Sequence, residues 1–289
     1  MSTSIETART MSPLKAFLSG YTSEVTTRDE AVIQAIADYL PAGSEVFIAS
    51  LPKEPLERQI EAARQLRAGG MQPIPHIVAR NVIDRAELDW LLGALSKDAG
   101  VDRALILAGD RDKPEGDYPD ALSLLQSGLL QEHGIRHVRL SAYPEGHPRI
   151  ADDRLLKARA DKLAAAESAG LAVELVSQFC FDPAPILAYA EDLRAAGVVA
   201  PLRVGVAGPA SRKTLLRYAI LCGVGPSMRA LKERGDLTRH AMGGDTPQAL
   251  LAEIARVAEA RPELKLSGAH FFTFGSLPAT VSWVDAQTR

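Results

Sequence analysis

Cysteine is scarce in this chain of 289 residues: Cys180 and Cys222 stand far apart and in no spacing that would ligate a metal. A disulfide framework and a cysteine-built metal site are therefore excluded, and the expected state is two buried, reduced thiols in a cytoplasmic protein. An excess of one charge is missing too. With 33 Lys and Arg against 36 Asp and Glu, the formal net charge of -3 gives no bulk electrostatic case for nucleic acid or an anionic membrane. Small molecules are the expected partners, and nothing in the composition opposes a homo-oligomer. No apolar run approaches the roughly 20 residues that span a bilayer, and the opening "MSTSIETARTMSPLK" has no apolar stretch like a signal peptide's. Residues 1–15 are expected to form a flexible or loosely docked arm. Internal repeats, low-complexity tracts and linkers are absent, so residues 1–289 read as one domain.

What is present is a composition of 46% hydrophobic and 24% charged residues, enough to bury a large core. Short β-rich apolar runs alternate with longer segments of helical period, the mark of βα units. Eight strand candidates stand out: "KAFLSGYTSEV", "SEVFIAS", "MQPIPHIVA", "DRALILAG", "IRHVRLSAYP", "LAVELVSQFCF", "PLRVGVAG" and "LKLSGAHFFTF". Most read as apolar on both faces, as in a covered parallel sheet. Between them, Thr27 and Glu30 suggest a capping box ahead of a stripe of Val32, Ile33, Ile36 and Leu40, which Pro41 ends. A second helix is expected from Pro183 or Pro185, with Ile186, Leu187, Ala190 and Leu193 facing inward and Gly197 as its stop. Eight such units point to a (βα)8 barrel, a doubly wound sheet being the alternative. The G-x-G-x-x-G of a dinucleotide-binding sheet is missing, and "CGVGPS" follows a helical segment rather than a strand, so it reads as a cap and turn.

In a (βα)8 barrel the C-terminal ends of the strands carry the active site. Polar residues collect there: Glu24 at the end of strand one, His76 in strand three, Asp110 after strand four, Tyr143, Glu145 and His147 after strand five, and Gln178 in strand six. Each has a plainer reading. Glu24 could face the helix behind Thr27, Asp110 could make an Asx-turn, and His76 could be a satisfied core histidine. Gln178 is harder to set aside, because a strand-borne amide among Val176, Phe179 and Phe181 needs partners or costs about 1–3 kcal/mol. Pro144 and Pro148 stiffen the loop that presents Tyr143, Glu145 and His147.

The segments "PIPHI", "ILAGD", "AYPEGHP", "VSQFCFD" and "HFFTF", in this order and spacing, resemble the 5,10-methylenetetrahydrofolate reductase family over residues 23–274. The resemblance implies a flavin-binding (βα)8 barrel that uses NADH or NADPH to convert methylenetetrahydrofolate to methyltetrahydrofolate. Glu24 would be the proton donor to N10 of the folate. Asp110 would lie between FAD and pterin as a second catalytic group, His76, Tyr143 and His147 would join it in touching FAD, and Gln178 would bind the pterin. No metal is implied. Departures from the family pattern fall at Ala49 to Leu51, Leu215, Ala219 and Ser276, on the nicotinamide side and the folate tail. Lys157, Arg159 and Lys162 are the nearest cations for the FAD diphosphate, or else a solvated helix face. The departures keep three other readings open: a flavin-independent folate reductase, a barrel of the same lineage acting on another one-carbon carrier, and a silent folate- or flavin-binding subunit.

Overall fold

The computed structural model describes residues 11–51, 53–224 and 247–289. Eight parallel strands close into a barrel in the order β1 to β8: Thr22–Thr26, Glu45–Ala49, Gln72–Val78, Arg103–Leu107, His137–Ala142, Ala172–Ser177, Leu202–Ala207 and Leu266–Phe272. The fold is a (βα)8 barrel. Each expected strand is found, because runs rich in Val, Ile and Leu between glycine or proline stops can bury one face against helices and pair on both edges.

The helices that follow the strands form the outer ring: α2 (Glu30–Gln34), α3 (Leu56–Ala68), α4 (Arg85–Ala99), the short α5 (Ala121–Leu125) and α6 (Leu129–Glu132), then α7 (Asp152–Ser168), α8 (Pro183–Ala195) and α9 (Arg212–Cys222). After residues 225–246 come α10 (Gln248–Ala260) and, beyond β8, α11 (Leu277–Thr288). Between sheet and helices lies a continuous apolar layer that includes Ile33, Ile36, Leu66, Leu92, Leu124, Val138 and Leu193. In α8, Asp182 caps Ala184 N at 3.0 Å, Ile186, Ala190 and Leu193 are buried, and Gly197 takes φ +74° after the last turn.

Three local expectations change. The run expected as strand one splits, and Pro13–Leu18 forms a helix, α1, capped by Ser12, with Phe17 and Leu18 buried. Residues 13–15 thus belong to a docked element rather than to an arm; residues 1–10 lie outside the described residues. The Thr27 capping box does not form. Asp29 precedes α2 and accepts from Thr26 N and Oγ1, while Thr27 gives its hydroxyl to Glu54, a stronger charged acceptor brought in by the β2–α3 loop. Gly223 does cap α9, at φ +72°; Gly225 to Ser227 of "CGVGPS" lie outside the described residues.

The barrel interior is less apolar than the strands suggested. Alternate residues point inward, and near the N-terminal ends these are Glu45, Arg103, Arg139, Glu174 and Arg203. Arg139 reaches Glu45 at 3.0 Å and Glu174 at 2.7 Å, Arg203 reaches Glu174 at 3.1 Å, and Arg103 pairs with Glu45. Each charge is tolerated because its neighbour neutralises it. Above this ring sits a small apolar layer of Phe47, Ile74, Leu105 and Val176. The sheet is tight at Gly205, where a Cβ would come within 2.0 Å of Ser177 O. The interior is thus plugged from below and open to chemistry from above.

Candidate active site

Directly above the apolar layer, β1 carries Glu24, β3 carries His76 and β8 carries His270. Glu24 Oε2 lies 3.5 Å from His76 Nε2 and 4.0 Å from His270 Nε2. The Phe47 ring packs at 4.3 Å from His270 and 6.2 Å from His76, and Phe272 meets His270 edge-on at 4.9 Å. The apolar surroundings decide the protonation states. Burial, reinforced by the Asp29 charge, pushes the Glu24 carboxyl up to about 7, while 19% of its side chain stays open to the mouth. Burial pushes His76 down to about 3, and His270 falls well below the usual histidine value through burial and then the charges of His76, Arg203 and Arg139. Near neutral pH the site therefore holds a carboxyl poised to give up a proton between two uncharged imidazoles.

The loop after β5 supplies the next layer. Tyr143 and His147 pack edge to face at 5.1 Å, and His147 Nδ1 accepts from Arg149 N at 3.2 Å. Burial raises Tyr143 and lowers His147. Asp110 stands on the loop after β4 with its side chain 95% exposed, 3.3 Å from the Arg149 guanidinium. Gly109 turns that loop at φ +95°, with a hypothetical Cβ only 2.4 Å from Val78 Cγ1. The Asp110 charge acts on Tyr143, His147 and Cys222, and the Glu24 charge also reaches Cys222, so all five occupy one rim. Gln178 follows β6, and its Oε1 accepts from Phe179 N at 3.0 Å.

The far wall is aromatic. Phe179 packs against Phe181, Phe272 and Phe274, and Tyr218 of α9 stacks on Phe274 at 4.4 Å. Leu215 and Ala219 are buried on the inner face of α9 in the same cluster. His270, Phe47, Arg149 and Tyr218 were not singled out from sequence. The signal for His270 was its parity, since Gly268, His270 and Phe272 share one face of β8 and "HFF" otherwise reads as a plain apolar run. Among the described residues no group of three or more His, Cys, Asp and Glu is placed to hold a metal ion, and no helix is long and apolar enough to cross a membrane.

A carboxyl with a raised proton affinity, neutral imidazoles, a ring-stacking wall and a nearby carboxylate suit protonation of a nitrogen in a flat heterocycle. The family model described as methylenetetrahydrofolate reductase matches residues 52–271. The chain belongs to the methylenetetrahydrofolate reductase family. As a member of it, the protein is a folate-metabolising oxidoreductase, of a family that generally draws on flavin and nicotinamide. His76, Asp110, Tyr143, His147, Gln178 and His270 lie inside the matched segment, and Glu24 lies before it. Among solved structures the chain is similar to dihydropteroate synthase of Xanthomonas albilineans, at 15% identity and TM-score 0.45 over 92% of this chain and 90% of that one. Dihydropteroate synthase of Thermus thermophilus matches at 13% identity and TM-score 0.45, over 92% and 91%. A 3-dehydroquinate dehydratase of Geobacillus kaustophilus matches at 13% identity and TM-score 0.43, over 93% and 92%.

Proposed function

We propose that the enzyme reduces 5,10-methylenetetrahydrofolate to 5-methyltetrahydrofolate with a hydride from NADH or NADPH. The observation that carries this reading is the carboxyl of Glu24, held near a proton affinity of about 7 at the barrel mouth. A methylene bridged between two nitrogens resists hydride attack until one C–N bond opens. Glu24 gives its proton to N10, the bond from the methylene carbon to N10 breaks, and N5 takes up the positive charge as an iminium. The hydride then adds to that carbon, leaving a methyl group on N5 and an oxidised nicotinamide. Solvent returns the proton to Glu24. An acid whose pKa lies near the working pH is suited to this step. Asp110 favours the cation electrostatically, Gln178 offers its amide to the pterin edge, and the Phe274 and Tyr218 rings offer a stacking surface.

The resemblance implies FAD as hydride carrier, with its ring against His76, Asp110, Tyr143 and His147. When bound, such a flavin would take the hydride from nicotinamide and pass it to the folate carbon. The described residues offer its diphosphate no preformed cradle. Lys157 is paired with Asp161 at 2.7 Å, Arg159 lies over the Tyr189 ring, and Lys162 is half-buried with its charge disfavoured by burial. Arg149 is engaged by Asp110 and Asp112. Asp152 and Asp153 occupy the first turn of α7, where a helix would otherwise attract phosphate. These contacts favour the reading in which nicotinamide and pterin meet directly, without a resident flavin.

Anaerobic assays with NADH and methylenetetrahydrofolate test both statements. Colourless protein should turn over at a rate that added FAD does not change, and Glu24→Gln should slow it by about 10² to 10⁴. A yellow protein that loses activity with its flavin would overturn the direct route. Glu24→Gln at the wild-type rate would overturn the assignment of the acid.

A further inference from the structure

His270 has no place in the chemistry above, yet it is among the most enclosed polar groups of the barrel, 1% exposed, with Thr22 beside it also at 1%. Thr22 Oγ1 and His270 Nδ1 are 2.8 Å apart, across neighbouring strands in register. A buried hydroxyl hydrogen needs an acceptor. If Nδ1 carried the ring proton, Thr22 would accept it and its own hydrogen would be stranded. With Thr22 donating to Nδ1, both groups are satisfied and the ring proton sits on Nε2. That nitrogen faces Glu24 Oε2 at 4.0 Å, and His76 Nε2, buried without a hydrogen-bond partner among the described residues, faces the same oxygen at 3.5 Å.

We propose that His270 is a positioning residue for the acid: fixed through Nδ1 by Thr22, it presents Nε2–H to Glu24 and supports the carboxylate left when the proton has gone to the folate. The inference rests on the reading of Glu24 as proton donor. The 4.0 Å separation is longer than a hydrogen bond, and contacts of this kind shorten when substrate closes the site. Two imidazoles converging on Oε2 leave Oε1 to carry the proton towards N10. The side chains facing Glu24 are His76 from β3 and His270 from β8, while the Asp29 charge from the loop after β1 also acts on it and the Glu24 charge acts on Cys222 at the end of α9. Those facing His270 are the neutral ring of His76 and the guanidinium groups of Arg139 and Arg203, and burial together with the arginine charges opposes a second ring proton. His270 is thereby kept as a neutral donor, able to support a carboxylate without capturing its proton.

The test is the pH dependence of kcat/KM for the wild type, His270→Phe, His270→Gln and Thr22→Val, with Glu24→Gln alongside. In the wild type activity falls as Glu24 ionises, with a limb near pH 7. Losing the donor makes the carboxylate harder to form, so in His270→Phe the limb should move up by about one pH unit, a tenfold change in the ionisation constant. Its kcat should fall while KM for the folate stays close to wild type. His270→Gln, which keeps an N–H near the Nε2 position, should return the limb most of the way. A folded His270→Phe whose limb stays in place or moves down overturns the proposal, since a purely structural histidine would reduce activity without moving it. If that variant does not fold, Thr22→Val decides: an upward shift supports the proposal and an unchanged limb overturns it. Wild-type turnover by Glu24→Gln would instead remove the donor reading and the proposal with it, whereas an inactive Glu24→Gln with an unmoved His270→Phe limb removes the proposal alone.

Discussion

Glu24 is a residue whose function works against stability. Its proton affinity is raised to about 7 in the folded chain, so the folded form holds the proton more tightly than the unfolded one. That preference is fully favourable below the ordinary carboxylate range, and it is lost as pH rises to about 7. At pH 8 the folded state carries an ionised carboxylate in an apolar cradle, at a cost of about 3 kcal/mol. Glu24→Gln removes the charge and keeps the shape. It should therefore raise Tm at pH 8, with a gain that shrinks towards pH 5, in thermal melts at the two pH values. An equal effect at both would mean that Glu24 is solvated in the folded enzyme. Asp110 behaves differently, since its carboxylate is exposed and, among the described residues, is paired with Arg149. Gly109 sets where that carboxylate stands: Gly109→Ala meets Val78 at an unfavourable φ and should displace Asp110, lowering turnover more than stability.

At the scale of elements, the strands were legible and their inner faces were not. The eight apolar runs identify βα units because alternation of β-rich and helical segments is local information. That Glu45, Arg103, Arg139, Glu174 and Arg203 meet in one ring depends on the register of separate strands, such as Arg139 opposite Glu174 and Leu105 opposite Arg139. Burial would raise Glu45, but Arg139, Arg103 and Arg203 together hold it below the usual carboxylate range. Arg139→Met would leave Glu45 to Arg103 alone and Glu174 to Arg203 alone in the interior. A loss of about 2–3 kcal/mol is expected in urea unfolding, more than for an exposed pair such as Arg64 with Glu61. The failure of the Thr27 cap has the same origin, because Glu54 arrives from another unit of the barrel and outcompetes a local turn.

For the whole molecule, the two histidines set the acid side of stability. His76 and His270 stay neutral when folded, whereas in the unfolded chain they take protons below roughly pH 6.5. The unfolded state then binds more protons, so stability falls as pH drops below that value. Replacing both with asparagine should flatten the acid limb of a stability–pH curve measured by denaturant titration. A limb of unchanged slope would show that other groups control acid unfolding.

The sequence by itself determined the barrel, its strand order and the family, because periodicity, stop residues and motifs such as "AYPEGHP" are written along the chain. It also placed Glu24, His76, Asp110, Tyr143, His147 and Gln178 near strand ends, since the C-terminal rim follows from the fold. Only the tertiary structure decided what surrounds each of them. The raised proton affinity of Glu24 comes from burial beside side chains of β2, β3 and β8, and His270 matters because barrel closure brings residue 270 back to residue 22. Those are contacts between distant parts of the chain, and burial and distance belong to the folded shape rather than to any local pattern of residues.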